Sequence, residues 1–174
     1  MENMKIQFLD CILRNFKDED VDSIFKYANN RKIWLNLRDG FPHPYTMADA
    51  ELFLSNVRAK NPETAFAITS GDDVIGSIGL NIGKDVHRRT AELGYWLAEP
   101  FWNRGIVTEA VQIIVAYGFK NFDLVRIFAE PYASNTASAK ILEKCGFEFE
   151  GCLKSSVLKD GKILDQLLYA KTNN

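Results

Sequence analysis

The stretch AELGYWLAEPFWNRGIVTEA, residues 91–110, decides the fold. It opens as a strand: Leu93, Tyr95 and Leu97 alternate with Glu92, Gly94 and Trp96, and aromatic residues favour a pleated surface. Pro100 ends the strand because proline has no N–H for the ladder. After Asn103 a helical pattern opens at Arg104 and Gly105, with apolar Ile106, Ala110, Ile113, Ile114 and Tyr117 at spacings of three and four. A strand, a short loop and a helix start bearing a glycine make an anion seat, since the first helical N–H groups point outward unpaired. The stretch is expected to hold the phosphates of a cofactor.

The rest of the chain fits around it as one α/β domain over residues 1–174. Residues 7–16 read as a first strand with Leu9, Cys11 and Leu13 on one face. Asp18 or Asp20 caps a helix through Tyr27, and Thr46 caps a second with Ala50, Phe53, Leu54 and Val57 inward. Between them, residues 34–45 (WLNLRDGFPHPY) are irregular and aromatic. Residues 64–69 and 74–82 form a hairpin that leads through the basic turn 84–89 into the strand of the deciding stretch. Residues 125–131 read as a short apolar strand suited to the sheet interior, and 135–145 as a helix closed by Gly146. Residues 147–158 and 163–171 form a last hairpin. The sum is a mixed sheet of about seven strands with about four helices.

Composition excludes several classes. At 174 residues, 47% hydrophobic and 25% charged, the chain can bury a full core and is not of disordered type. A net charge of −2 with interspersed signs argues against nucleic acid as a partner. The N-terminus MENMKIQFLD has no leader-like apolar run, and no stretch nears membrane-spanning length, so a cytoplasmic protein is expected. Cys11, Cys145 and Cys152 are odd in number and lack metal-ligand spacing, which reads as reduced thiols and no metal.

Two segments resemble the GNAT superfamily of N-acetyltransferases, and its RimJ/RimL-type branch in particular: AELGYWL with FWNRGIVTEA, then NTASAKILEKCGFEFEGCLK from Asn135. The resemblance covers nearly the whole chain. It implies splayed strands forming an acetyl-CoA cleft, a ternary complex, and direct acetyl transfer to a primary amine. The favoured acceptor is a protein N-terminal α-amine of ribosomal-protein type. A small amine (polyamine, amino acid or antibiotic) is the alternative, and a non-catalytic acyl-CoA-binding module is the rival of another class. Oligomeric state stays open, a homodimer among the options.

The resemblance assigns the phosphates to Arg104, Gly105, Ile106, Val107 and Thr108, and the pantetheine arm to Tyr95, Trp96, Leu97 and Asn135. Lys140 would approach the nucleotide. Glu92 aligns with a strand glutamate that serves as general base, and Ser138 would contact the leaving sulfur. Phe41, His43 and Tyr45 would shape the acceptor pocket. Each has a plainer reading: Glu92 paired with Arg88 or Arg89, Asn135 and Ser138 as helix-cap residues, and the aromatics as loop anchors. The turn 87–89 reads as solvated. The chain departs from the pattern at Trp102, where glutamine or arginine is usual, and at Val107, where glycine or alanine is. Leu142 and Val157 stand where relatives carry a catalytic tyrosine and glutamate.

Overall fold

The described residues, 4–173, of the structure, a computed structural model, form eight strands and five α-helices. The strands make up a mixed sheet. The chain packs as two compact units, residues 1–79 with 95–110, and residues 80–94 with 111–174. The leader reading bears partly on residues 1–3, outside the described ones.

In the first unit, β1 (Lys5–Phe8) and β2 (Cys11–Arg14) are antiparallel, with Phe8 opposite Cys11. The expected single strand over 7–16 is therefore a hairpin. Its two-residue turn places Leu9 at φ 46, a conformation leucine seldom adopts, and leaves its side chain exposed. β2 pairs with β3 (Ala65–Ser70), and β3 pairs with β4 (Asp73–Ile82).

Two helices follow Asp20 and Thr46, but Thr46 caps with its side chain as expected whereas Asp20 makes no side-chain cap bond to its helix. α1 (Val21–Ala28) buries Ser23, Ile24 and Ala28, and α3 (Met47–Arg58) buries Ala50, Leu54 and Val57. Thr46 and Asp49 form a reciprocal capping box: the Asp49 N–H donates to Thr46 Oγ1, and the Thr46 N–H donates to Asp49 Oδ2 at 2.8 Å. The Thr46 hydroxyl, which also donates to Asp49 Oδ2, and then the Thr46 N–H hold the Asp49 carboxyl below its usual range. A four-residue helix between them, α2 (Arg31–Trp34), was not expected; Asn30 caps it by accepting from the Lys32 N–H.

Beneath these helices lies a core of Phe16, Ile24, Ile33, Tyr45, Leu54, Val74 and Trp96. Arg14 forks onto the buried Asp20 at 2.8 and 2.7 Å and the Lys17 N–H donates to it at 2.8 Å, so that this desolvated carboxylate accepts three bonds.

The second unit contains β6 (Arg126–Ala129), flanked by β5 (Thr90–Leu97), which is parallel to it, and by β8 (Lys162–Thr172), which is antiparallel. The interior position expected for this strand is the one observed, although Arg126 interrupts its apolar run. Arg126 reaches Glu150 at 2.6 Å on β7 (Glu148–Lys159), the partner of β8. The β5–β6 ladder covers only Thr90↔Arg126, Ala91↔Ile127 and Glu92↔Phe128, so Leu93 and Gly94 lie beyond it.

α4 (Ile106–Asn121) buries Ile106, Ala110, Val111, Ile114 and Val115. At Gly118 it approaches so closely that a Cβ would lie 2.5 Å from Leu80 Cδ1. α5 (Thr136–Lys144) ends at Gly146, whose φ of 78 is the left-handed stop expected for it. Cys11 and Cys145 are buried and Cys152 is half-buried, and none of the three is in a disulfide among the described residues. No described helix is long and apolar enough to cross a membrane.

The approach of β4 to the end of β5 leaves no room for a side chain at Gly76, where a Cβ would sit 2.5 Å from the Trp96 carbonyl oxygen. Gly76→Ala is expected to destabilise the protein by about 1–3 kcal/mol, because a backbone must move. Gly151→Ala, with open space at the Cβ, is expected to leave the urea midpoint near the parent value.

Candidate active site

The turn from β5 into α4 lies in the first unit and is held at several points. Ala98 donates to the Ile75 carbonyl at 2.7 Å, and a 3-10 turn at Glu99–Phe101 carries Pro100. Trp102 then folds back, its indole Nε1–H donating to the Leu97 carbonyl at 2.7 Å. Asn103 (φ 61) and Gly105 (φ 77) are both left-handed.

The first helical bond runs from the Glu109 N–H to the Gly105 carbonyl at 3.1 Å, so the amides of Ile106 and Val107 find no acceptor inside the helix. No atom lies within 4 Å of a Cβ built on Gly105. Glycine is thus demanded here by backbone conformation, and the space over it is open. Ile106 and Val107 point their side chains inward, at 5% and 9% exposure. Arg104 is exposed, with its guanidinium 5.2 Å from the Phe101 ring centroid. The arrangement is an amide-rich, positively polarised helix start with one guanidinium beside it.

The aromatic segment is also in this unit. Phe41 lies 4.8 Å from the Tyr45 ring and 6.0 Å from Trp96, and His43 lies 5.7 Å from Trp34. Tyr45 is a core residue at 3% exposure, its N–H donating to Asn29 Oδ1. Burial, with the Asp49 charge second, pushes its phenol up to about 12. His43 differs from Tyr45: it is half-buried, and its Nδ1 is buried with no hydrogen-bond partner. Of the three predicted acceptor residues, Tyr45 anchors the loop, while Phe41 and His43 keep partly accessible rings. Trp96 and Leu97 are buried and Tyr95 is half-buried.

In the second unit, Asn135 caps α5, its Oδ1 accepting from the Ser138 N–H at 3.2 Å. The cap role is therefore real, and it leaves the Asn135 amide NH2 as the group that can serve a ligand. Ser138 is buried, Lys140 is exposed, and Leu142 is fully buried in the core. No acid can act at position 142.

Glu92 is half-buried and lines a cavity of about 310 Å³ with Asn81, Gly83, Lys84, His87, Thr90 and Phe128. Arg88 donates to the Asp85 carbonyl, and Arg89 pairs with Asp123 at 2.8 Å. Lys84 and His87 belong to the basic turn that the sequence marks as solvated, whereas Asn81, Gly83, Thr90 and Phe128 carry no such mark. Strand alternation does put Thr90 beside Glu92, but Phe128 joins them only through the parallel ladder.

A model of the acetyltransferase (GNAT) domain matches residues 10–148. The chain is 29% identical over 162 residues to an uncharacterized N-acetyltransferase of Bacillus licheniformis, p20, covering 91% of this chain and 90% of that protein. It is 32% identical over 106 residues to the ribosomal-protein-serine acetyltransferase of Escherichia coli, covering 61% and 59%. Among solved structures, it superposes on RimL, a ribosomal-protein acetyltransferase in complex with coenzyme A. The TM-score is 0.85 at 20% identity, over 98% of both chains.

The raised Tyr45 phenol makes an alkaline prediction. An unfolded tyrosine loses its proton near 10.0, whereas Tyr45 in the folded chain keeps it to about 12. Over that window the unfolded state binds fewer protons, so stability must fall as pH rises. Tyr45→Phe is expected to lack this contribution, and the parent should lose stability relative to the variant from pH 10 to 12. Urea unfolding of both proteins across that range checks it.

Proposed function

The chain belongs to the GNAT acetyltransferase family, and from that premise we propose that residues 1–174 act as one acetyl-CoA-dependent N-acetyltransferase domain whose acceptor is a protein N-terminal α-amine. The observation that carries the donor half is the left-handed Gly105 turn, which presents the Ile106 and Val107 amides at an open helix start. Arg104 to Thr108 would take the pyrophosphate there. The strand backbone at Tyr95–Leu97 and the Asn135 amide would take the pantetheine arm. The β5–β6 ladder stopping at Glu92↔Phe128 is what an opening between splayed strands requires. Lys140 is exposed, as a contact to the nucleotide phosphates would need.

In the reaction, the neutral amine attacks the thioester carbon, the C–S bond breaks, and the amine proton passes to Glu92 directly or through a water. A strand amide near Leu97 would stabilise the oxyanion. With Leu142 in the core, the leaving thiolate has no tyrosine acid, and the Ser138 hydroxyl would hydrogen-bond it instead. An α-amine, with a pKa of ~7.7–8.0 against ~10.4 for lysine, is partly neutral at cellular pH and suits a site with a single carboxylate base. The similarity to the ribosomal-protein-serine acetyltransferase supports the same acceptor. A cytoplasmic location follows from this reading, since that is where ribosomal proteins and acetyl-CoA meet.

Thiol release from acetyl-CoA over a panel of peptides, polyamines and small amines tests the assignment, with mass shift identifying the product. Turnover on free peptide N-termini is the expected result. Turnover confined to polyamines or other small amines would replace the acceptor. Thermal stabilisation by acetyl-CoA with no turnover would make the chain a binding module. Glu92→Gln is expected to lower kcat by about 10²–10⁴-fold and to leave acetyl-CoA affinity intact. The loss should be deepest at pH values below the amine's own pKa, and an unchanged pH–rate profile would remove Glu92 from the mechanism.

A further inference from the structure

We propose that the cavity bounded by Lys84, His87, Thr90, Glu92 and Phe128 seats the acceptor chain end, and that Lys84 selects N-termini followed within two residues by an acidic side chain. The inference rests on the reading of Glu92 as the group that meets the amine. It adds a specificity element that neither the family pattern nor the names of the relatives supply.

The first argument is size. About 310 Å³ lies at the lower end for ligand sites, enough for the tip of an extended chain and too small for a folded surface.

The second is rigidity. The turn carrying Lys84 and His87 is closed by Gly83 N–H to the Thr90 carbonyl at 2.9 Å and His87 N–H to the Lys84 carbonyl at 3.0 Å. The Thr90 hydroxyl also donates to the His87 carbonyl at 2.9 Å. Gly83 is pressed so tightly against this turn that a Cβ would sit 2.3 Å from the His87 carbonyl oxygen. The two side chains therefore grow from a fixed frame.

Charge supplies the third argument. The turn carries Lys84, Arg88 and Arg89, and the two arginines are engaged, one on the Asp85 carbonyl and one on Asp123. Neither the Lys84 ammonium nor the His87 imidazole has a side-chain partner among the described residues, and both line the cavity. The Asp85 carboxylate, next in sequence to Lys84, is exposed and does not line it.

Spacing gives the register. Thr90 and Glu92 share a strand face about 7 Å apart, and Gly83 is bonded to Thr90, so Lys84 stands at the end of the cavity away from Glu92. An amine at Glu92 then directs the side chain of the next one or two residues toward Lys84, with Phe128 against the stem. A carboxylate there meets the unpaired ammonium, and a lysine would meet a like charge.

The test uses three tetrapeptides with free N-termini that differ only at the second residue: aspartate, alanine or lysine. Binding is measured by isothermal titration with saturating coenzyme A, and transfer by thiol release. The aspartyl peptide is expected to bind about 3–5-fold tighter than the alanyl one, and the lysyl peptide weakest. Lys84→Ala should erase this order and Lys84→Glu should invert it, with unfolding curves confirming that both variants fold. Equal binding of the three peptides, binding of none, or an aspartyl preference that survives in Lys84→Glu overturns the inference. Preferential binding without acetyl transfer supports it and removes the enzymatic reading. Transfer without preference does the reverse.

Discussion

The chain has eight residues, 98–105, in which to leave β5 and enter α4, and the left-handed backbone at Gly105 is the constraint that makes this possible. A residue with a Cβ at φ 77 is strained, so the glycine sets where the helix starts and which amides it exposes. The loop before it is tied back by the Trp102 indole on the Leu97 carbonyl. This gives the departure at Trp102 a physical account. The family pattern places a side-chain N–H donor there, and the indole is also such a donor, on a ring that packs as well as bonds. Val107 resolves in a similar way. Its side chain belongs to the buried face of α4, so that what the position shows at the helix start is its backbone N–H.

Burial divides the remaining candidate residues. Tyr45, Trp96, Leu97 and Leu142 are held by packing, and the Tyr45 hydroxyl and N–H donate to the Asp49 carbonyl and to Asn29 Oδ1. Asn135 is half committed: its oxygen closes the first turn of α5, while its NH2 group remains. Glu92, Lys84 and His87 are partly exposed or exposed on a cavity wall, and Lys84 and His87 stand on a turn that is rigid in its backbone and polar in its side chains. Rigidity of the frame with accessible side chains is the arrangement that recognition needs.

Much of this was legible in the sequence because the signals were local. Thr46 with Asp49 three residues on, Asn135 before a helical run, Gly146 after one, and the hairpin at Gly71-Asp72 all act through neighbouring atoms, and each stands where its chemistry placed it. The misses were of another kind. The β1–β2 hairpin turns at Leu9-Asp10 with no glycine or proline to mark it, and the left-handed Leu9 is imposed by the pairing of Phe8 with Cys11 rather than by propensity. The interior strand carries Arg126 because Glu150, on a strand distant in sequence, neutralises it. The cavity beside Glu92 was invisible for the same reason. Residues 81–92 and Phe128 contribute to it, and only the strand pairing brings the two together.

That contrast explains why the two halves of the proposed reaction are unequally readable. A donor held by helix-start amides and strand backbone requires a conformation, and many sequences supply one as long as glycine occupies the left-handed position. An acceptor is distinguished by side chains, on segments free to change without disturbing the core. The chain's 29% identity over nine-tenths of its length to an N-acetyltransferase of undetermined acceptor fits this division. Fold and acyl-donor site can persist at that distance, whereas the three or four side chains that choose the amine need not. On the proposed reading, the amine is chosen by side chains on the cavity wall beside Glu92, and the turn that carries Lys84 holds them on a fixed backbone.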